Sequence, residues 1–370
     1  MQKKKIMIFM ISLGGGGVQR FVMNLISKLN KEKFDICIAL VNKSGVYLNH
    51  LPQDVRVIDL KAKRVHFSLI PLIKNLKKEQ PDILFSVDTS INIVSVLGKL
   101  ISNTRSKLII RQAVEINELS TSKFKLTLTR ILYPKVDKCI VLTNTMKSNI
   151  MKSIGLSESK IEVIYNSIDI KKITNKKTEK IEEDYKEIKE PKIIAVGRLT
   201  KQKNYFMLLD AFELVLKKKK KKVKLMIIGE GEDKQKVKAK IREKEMENEV
   251  FLLGFKDNPY KYMYNSDVFV LPSIYEGLSN ALLEALACNI PIVTTDNPDY
   301  IIKDGVNGLQ VDLTAQNIAG GLIQLLNNKS LRDYIIKNNN VYMNSFDIST
   351  MINKYENLFN KVLDSTLRWG

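Results

Sequence analysis

Short apolar runs alternate with longer polar segments along most of the chain. Lys5–Ile11, Phe34–Leu40, Ile83–Val87, Lys107–Ile110, Lys138–Leu142 and Ile161–Ile164 read as strands buried on both faces. Between the first two, Val18, Phe21, Val22, Leu25, Ile26 and Leu29 recur at helical spacing. This strand–helix–strand alternation predicts a parallel sheet covered by helices on both faces. The pattern breaks at 171–191, "KKITNKKTEKIEEDYKEIKEP", which is charged, poor in apolar residues and closed by Pro191. That segment reads as a connection between domains. The pattern then restarts with "KIIAVGRL", "KLMIIGEGE", "VFLLGF", "DVFVLPS" and "IPIVTT". Two doubly wound α/β domains follow, 1–170 and 192–345, with a linker at 171–191. An amphipathic C-terminal helix within 346–370 is expected to pack back across that linker. In such sheets ligands bind at the carboxyl ends of the strands, here in the cleft between the domains.

Length agrees with two cores, since 370 residues exceed what one core usually supports. The net charge of +20 is uneven: residues 1–170 hold 27 basic and 13 acidic side chains, and the remainder 33 and 27. The first half thus suits an anionic partner, although a lysine-rich proteome explains part of the excess. Lysine dominates without aromatic interleaving or an arginine stripe, which argues against a nucleic-acid-binding protein. Cys37, Cys139 and Cys288 share no short spacing, so neither a disulfide framework nor a zinc site is expected. The start "MQKKKIMIFMISLGGGG" reads as a buried first strand rather than a signal peptide, and no apolar run is long enough to span a bilayer.

Candidate chemistry sits in the turns after strands. "SLGGGGVQR" lets backbone approach a ligand at a helix start, but its spacing fails the dinucleotide fingerprint, since Gln19 stands where the third glycine belongs. In "VGRLTKQKN", Arg198 and Lys203 follow a strand and suit a diphosphate. Gly229, Gly231 and Gly254 end two further strands and suit a flat heterocycle lying against backbone. "SIYEGLSNALLEALAC" carries the most information. Ser279 is a plausible N-cap, and the amides of Gly277, Leu278 and Ser279 can face a phosphate. Glu276 precedes the helix and Glu284 lies inside it, so the two carboxylates reach different parts of one extended ligand. No Asp-x-Asp pair ends a strand to hold a metal on a diphosphate. The 117–135 segment interleaves Lys123, Lys125 and Arg130 with Phe124, Leu128 and Ile131, which suits an anionic membrane surface.

As a set, "GGGGVQRFVMNLISKL", "IEVIYNSID", "VGRLTKQKN", "LMIIGEGE", "VFLLGF", "SIYEGLSNALLEALACNIPIVTTD" and "DGVNGLQV" resemble glycosyltransferase family 4 over nearly the whole chain. The resemblance implies the GT-B fold, two doubly wound Rossmann-like domains facing a central cleft. It implies a retaining, metal-independent enzyme using a nucleotide sugar, most often a UDP-sugar, and no cofactor. Glu276, Arg198 and Lys203 would be catalytic, with the two cations on the donor diphosphate and Glu276 on the transferred sugar. Gly277, Leu278 and Ser279 would take the distal phosphate, Glu284 the ribose, and Gly254 the nucleotide. Gly16 and Gly17 would line the donor phosphates or the acceptor from the first domain.

The expected activity is transfer of a hexose or N-acetylhexosamine to a lipid-linked or cell-surface glycan acceptor, in the cytoplasm at the inner membrane face. A sugar epimerase of the same fold is the alternative. The chain departs from the family at Val18 and Gln19, where Ala-Glu is usual. It also lacks the histidine common after the strand of "KLIIRQAVE", where Arg111, Gln112 and Glu115 stand. Asp88, at a strand end, is a candidate acceptor contact, or a helix cap.

Overall fold

The structure, a computed structural model, describes residues 3–14, 17–113, 123–218, 222–276, 278–296, 299, 301–343 and 346–364. It divides into two compact units, one running to Asn166 and resuming at Ile348, the other Ser167–Asp347.

The first unit is built on seven parallel strands: β1 (Lys4–Met10), β2 (Phe34–Leu40), β3 (Arg56–Asp59), β4 (Ile83–Ser86), β5 (Lys107–Gln112), β6 (Lys138–Val141) and β7 (Ile161–Val163). Their order is β3-β2-β1-β4-β5-β6-β7. The chain winds outward from β1 in one direction, returns, and winds outward in the other from β4. Helices α1 (Gly17–Lys28), α2 (Leu69–Glu79), α3 (Thr89–Ser102), α4 (Lys123–Leu132) and α5 (Asn144–Ile154) connect the strands. In α1, the residues at helical spacing are the ones buried: Phe21, Val22, Leu25 and Ile26.

The segment expected as a linker folds into the second unit. It forms α6 (Ile170–Lys177) and α7 (Glu183–Glu187), and buries Ile173, Ile181 and Tyr185. The Tyr185 hydroxyl lies 2.7 Å from Ser266 Oγ, and Asn258 Nδ2 donates to Glu179 Oε2 at 2.8 Å. Three well-spaced apolar anchors suffice to dock it, and its charges face solvent.

The second unit holds six parallel strands: β8 (Lys192–Val196), β9 (Lys224–Ile228), β10 (Val250–Gly254), β11 (Val268–Leu271), β12 (Ile292–Thr294) and β13 (Leu309–Gln310). They are ordered β10-β9-β8-β11-β12-β13. Helices α8 (Tyr205–Lys218), α9 (Lys234–Glu243), α10 (Tyr260–Tyr264), α11 (Asn280–Ala287), α12 (Ala315–Asn327) and α13 (Lys329–Met343) cover it. The final helix, α14 (Ile348–Asp364), packs into the core of the first unit. Its Tyr355 ring lies 5.4 Å from that of Phe21, and Phe359 lies 6.0 Å from Phe34. Seven of its residues are buried at helical spacing, so the strong apolar stripe belongs to this core.

Cys37, Cys139 and Cys288 are free and buried, and burial pushes each thiol up to about 12. Among the described residues no helix is long and apolar enough to cross a membrane.

Candidate active site

In the second sheet the winding direction reverses between β8 and β11, which are adjacent and parallel. In open α/β sheets ligands bind at such a switch point, outside the carboxyl ends of the strands. Both polar motifs of this unit leave from here. After β8, Gly197 and Arg198 lead into a single turn, Lys201–Lys203, and a left-handed Asn204 (φ 54°) starts α8. After β11, Ser273–Glu276 leads to α11.

The two loops are tied together. Ile274 N donates to Gln202 O, and Gln202 Nε2 donates to Tyr275 O, both at 2.9 Å. Lys203 Nζ pairs with Glu276 Oε1, and Ser273 Oγ donates to that same oxygen at 2.6 Å. The Lys203 and Glu276 side chains are only 15% and 8% exposed. An ion pair so enclosed interacts more strongly than a surface pair. The backbone N–H of Glu276 donates to the Asp296 carboxylate just beyond β12. The Tyr205 hydroxyl donates to Gly197 O at 3.1 Å, bracing the first loop from α8. Burial, and then the nearby Glu276 charge, push that phenol well above its ordinary value.

Arg198 is exposed, and its side chain makes no hydrogen bond or ion pair among the described residues, while its carbonyl accepts from Thr200 N at 2.9 Å. Leu278 is buried. Ser279 has N-cap backbone geometry, but its side chain makes no cap hydrogen bond, and its buried Oγ has no partner. The first turn of α11 holds no acid, so its N-terminal dipole is not neutralised from within the helix. Glu284 lies further along α11, 6% exposed, and accepts from the Tyr260 hydroxyl of α10 at 3.3 Å.

At the ends of β9 and β10 the glycines answer to backbone packing. A Cβ on Gly229 (φ 146°) would fall 1.9 Å from Gly197 O. Gly231 would similarly meet Leu199 O at 2.3 Å. Gly254 is left-handed (φ 68°), with Glu230 Oε1 3.1 Å from where its Cβ would stand.

In the first unit, Gly17 opens α1, while Gly16, like Gly277 and Glu115, lies outside the described residues. Asp88 caps α3, its carboxylate accepting from Ser90 N at 2.9 Å. Arg111 and Gln112 point into the interior and are 2% and 0% exposed. The structure therefore brings Lys203, Glu276 and the start of α11 to one switch point, with Arg198 in the same turn. Ser273, Asp296, Tyr260 and Gln202, which the sequence reading passed over, complete the framework. A polar residue two positions after a strand, as in "LPS" and "TTD", was the available signal for the first two.

Two parallel-sheet Rossmann-like units with such turns define the GT-B class. Residues 15–172 match the model of Glycosyltransferase Family 4, and 176–341 match Glycosyl transferases group 1. The chain is 30% identical over 352 residues, covering 89% of itself and 92% of the relative, to a Campylobacter jejuni enzyme. That enzyme is the N-acetylgalactosamine-N,N'-diacetylbacillosaminyl-diphospho-undecaprenol 4-alpha-N-acetylgalactosaminyltransferase. It is 25% identical, covering 93% of each chain, to an Escherichia coli UDP-Gal:alpha-D-GlcNAc-diphosphoundecaprenol alpha-1,3-galactosyltransferase. In fold it is similar to Anabaena HepE, crystallised with UDP and glucose, at a TM-score of 0.84 and 17% identity, covering 97% of this chain and 100% of the other. The chain belongs to glycosyltransferase family 4.

Proposed function

We propose that this glycosyltransferase moves a hexose or N-acetylhexosamine from a UDP-sugar to a lipid-linked glycan precursor, with retention at the anomeric carbon and without a metal ion. The observation that carries the reading is the Lys203–Glu276–Ser273 cluster at the switch point, beside the uncapped start of α11. Arg198 and Lys203 hold the donor diphosphate, with Lys203 standing between it and Glu276. The amides at the start of α11, with Ser279 Oγ, take the distal phosphate. Glu276 orients the sugar hydroxyls and favours the positive charge that develops at the anomeric centre. Glu284, deeper in α11, accepts from the ribose hydroxyls, and Gly254 lies against the nucleotide. The bond from the anomeric carbon to the diphosphate oxygen breaks, and the acceptor oxygen adds on the same face. The acceptor's proton leaves with the diphosphate. Fixed cations supply the charge that a metal supplies elsewhere.

Two relatives named for diphospho-undecaprenol substrates support a lipid-linked acceptor. The UDP bound to HepE and the UDP-galactose of the E. coli relative support the donor. A peripheral site at the inner membrane face fits the +14 balance of residues 1–170 and the exposed Phe124 and Ile131 of α4, beside Lys125 and Arg130.

The test is a panel of UDP-sugars offered with an undecaprenyl-diphosphate-linked acceptor, the product's anomeric configuration being read by NMR. Transfer with retention that survives EDTA is expected. Epimerisation of the free sugar nucleotide without transfer, or activity lost in EDTA and restored by manganese, would overturn the reading.

A further inference from the structure

Strands β11 and β12 pair in parallel with Leu271 opposite Thr294. One further backbone bond, from Thr295 N to Leu271 O at 3.2 Å, extends the ladder, and Pro272 has no N–H to carry it on. Side chains from the next two residues of β12's strand continue the connection. Thr295 Oγ1 donates to Ser273 O at 2.7 Å. The Asp296 carboxylate accepts the backbone N–H of Glu276. The loop Ser273–Glu276 is thus gripped at both ends by consecutive residues of the neighbouring strand. Thr294 Oγ1 in turn donates to Asp296 O at 2.8 Å and steadies the gripping residue itself.

The consequence falls on one side chain. With its backbone amide fixed, Glu276 directs its carboxylate toward Ser273 Oγ and Lys203 Nζ. A loop of four residues without such ties would sample several φ/ψ states, and ordering it costs conformational entropy. A carboxylate acceptor also binds an N–H about twice as strongly as a neutral one, which suits a single anchoring bond.

We propose that Thr295 and Asp296 are positioning residues, which set the direction of the Glu276 carboxylate by holding its loop to the end of β12. The inference rests on the reading of Glu276 as the group that faces the transferred sugar. Neither residue need touch the donor.

The test compares Asp296→Ala, Asp296→Asn and Thr295→Val with the wild type in kcat, in KM for the donor, in calorimetric binding of UDP, and in melting temperature. Misplacing a group that acts in the transition state lowers kcat and spares ground-state binding. Asp296→Ala should therefore lose on the order of 10–100-fold in kcat, with UDP affinity held within about threefold. Asp296→Asn keeps an acceptor oxygen and should recover to within about fivefold of the wild type, and Thr295→Val should lose roughly 3–10-fold.

An Asp296→Ala protein with wild-type kcat would overturn the inference. So would a fall in UDP affinity and melting temperature that parallels the loss of kcat, since that marks a purely structural role. If Asp296→Ala does not fold, the two volume-conserving variants decide the matter by the same readouts. A folded wild type that transfers no sugar from any donor would instead overturn the functional reading, and this inference with it.

Discussion

The two sheets share a winding scheme, yet the polar residues at their strand ends meet different fates. In the first unit the groups after β4 and at the end of β5 turn inward. Ser86 Oγ donates to Asn92 Oδ1 at 2.8 Å, Asn92 Nδ2 donates to the Tyr133 hydroxyl at 3.1 Å, and that hydroxyl donates to Gln112 Oε1 at 2.6 Å. Arg111 is fully buried, donating to Asn166 Oδ1 at 2.6 Å, its guanidinium 4.1 Å from the Phe21 ring centroid. Its Nε and Nη1 have no acceptor, and burial pulls its pKa down. In the second unit the exposed Arg198 side chain has no partner among the described residues, and Ser279 Oγ is unbonded at a helix start. A strand-end position supplies an opportunity for binding. Whether the polar groups there remain available depends on what the neighbouring helices offer them.

The sharpest break in this comparison is Glu276→Gln. On the proposed reading, in which Glu276 faces the transferred sugar, removing its charge should lower kcat by about 100–1,000-fold, with UDP affinity nearly unchanged. Steady-state kinetics beside calorimetric UDP titration would check it. A variant that binds UDP poorly and turns over normally would reverse the roles assigned to Glu276 and Glu284.

The same contrast explains what was legible in the sequence. Eleven of the strands and the main helices announced themselves through apolar runs and helical spacing. β3 did not, because "RVID" at a sheet edge is half-exposed and mixes charge with two apolar residues. β13 did not either, having only two residues. The 171–191 segment read as a linker because its three anchors are diluted by charge. Glu276, Arg198 and Lys203 stood out since strand-to-helix turns concentrate binding groups, and Glu284 stood out as a carboxylate within an apolar helix pattern. Asp296 and Tyr260 were hidden because each meets its partner only through tertiary packing: Asp296 reaches Glu276 across 20 positions, and Tyr260 reaches Glu284 from α10. The inward fate of Arg111 and Gln112 was equally hidden, since a strand's last residues do not reveal which face is covered.

Asn92→Ala tests the closed side. It strips a hydrogen bond from Ser86, from the Arg111 carbonyl and from Tyr133, all in the interior. Leaving buried groups unpaired should cost about 2–3 kcal/mol of stability, read as a lower urea midpoint. A cost below about 0.5 kcal/mol would show that water enters this end of the first unit and that it is not closed.

Glu284→Gln sharpens the open side. The ribose contact proposed for this residue would be similar in ground and transition states, so its loss should raise the donor KM about tenfold, or about 1.4 kcal/mol, at nearly constant kcat. Its Tyr260 bond can persist with the glutamine oxygen, so the melting temperature should hold. A large fall in melting temperature at unchanged KM would make Glu284 a packing residue.

The smallest effect belongs to charges that pair completely, at the amino end of the first sheet. Glu79 accepts from Arg56 Nη2 at 3.0 Å and from Lys5 Nζ at 3.1 Å, joining α2 to β3 and β1. The Arg56 hydrogen bond, and then the Lys5 one, hold its carboxyl below the ordinary 4.5, against the opposing effect of burial. A depressed folded pKa gives stability that is fully present above the unfolded value and is lost as pH falls through the folded one. Arg56 and Lys5 are 51% and 29% exposed, so solvent screens the triad and its contribution is about 1 kcal/mol or less. Glu79→Gln should therefore lower the urea midpoint slightly near neutral pH, and the gap from the wild type should close as the pH drops below the carboxylate range. It should also narrow in high salt, as screening shortens the reach of the exposed charges. UDP affinity should not respond, because the triad touches no group of the candidate site. A gap that widens in acid would mean that Glu79 is more easily protonated in the folded chain than in the unfolded one, and that the two lysine and arginine contacts do not govern it.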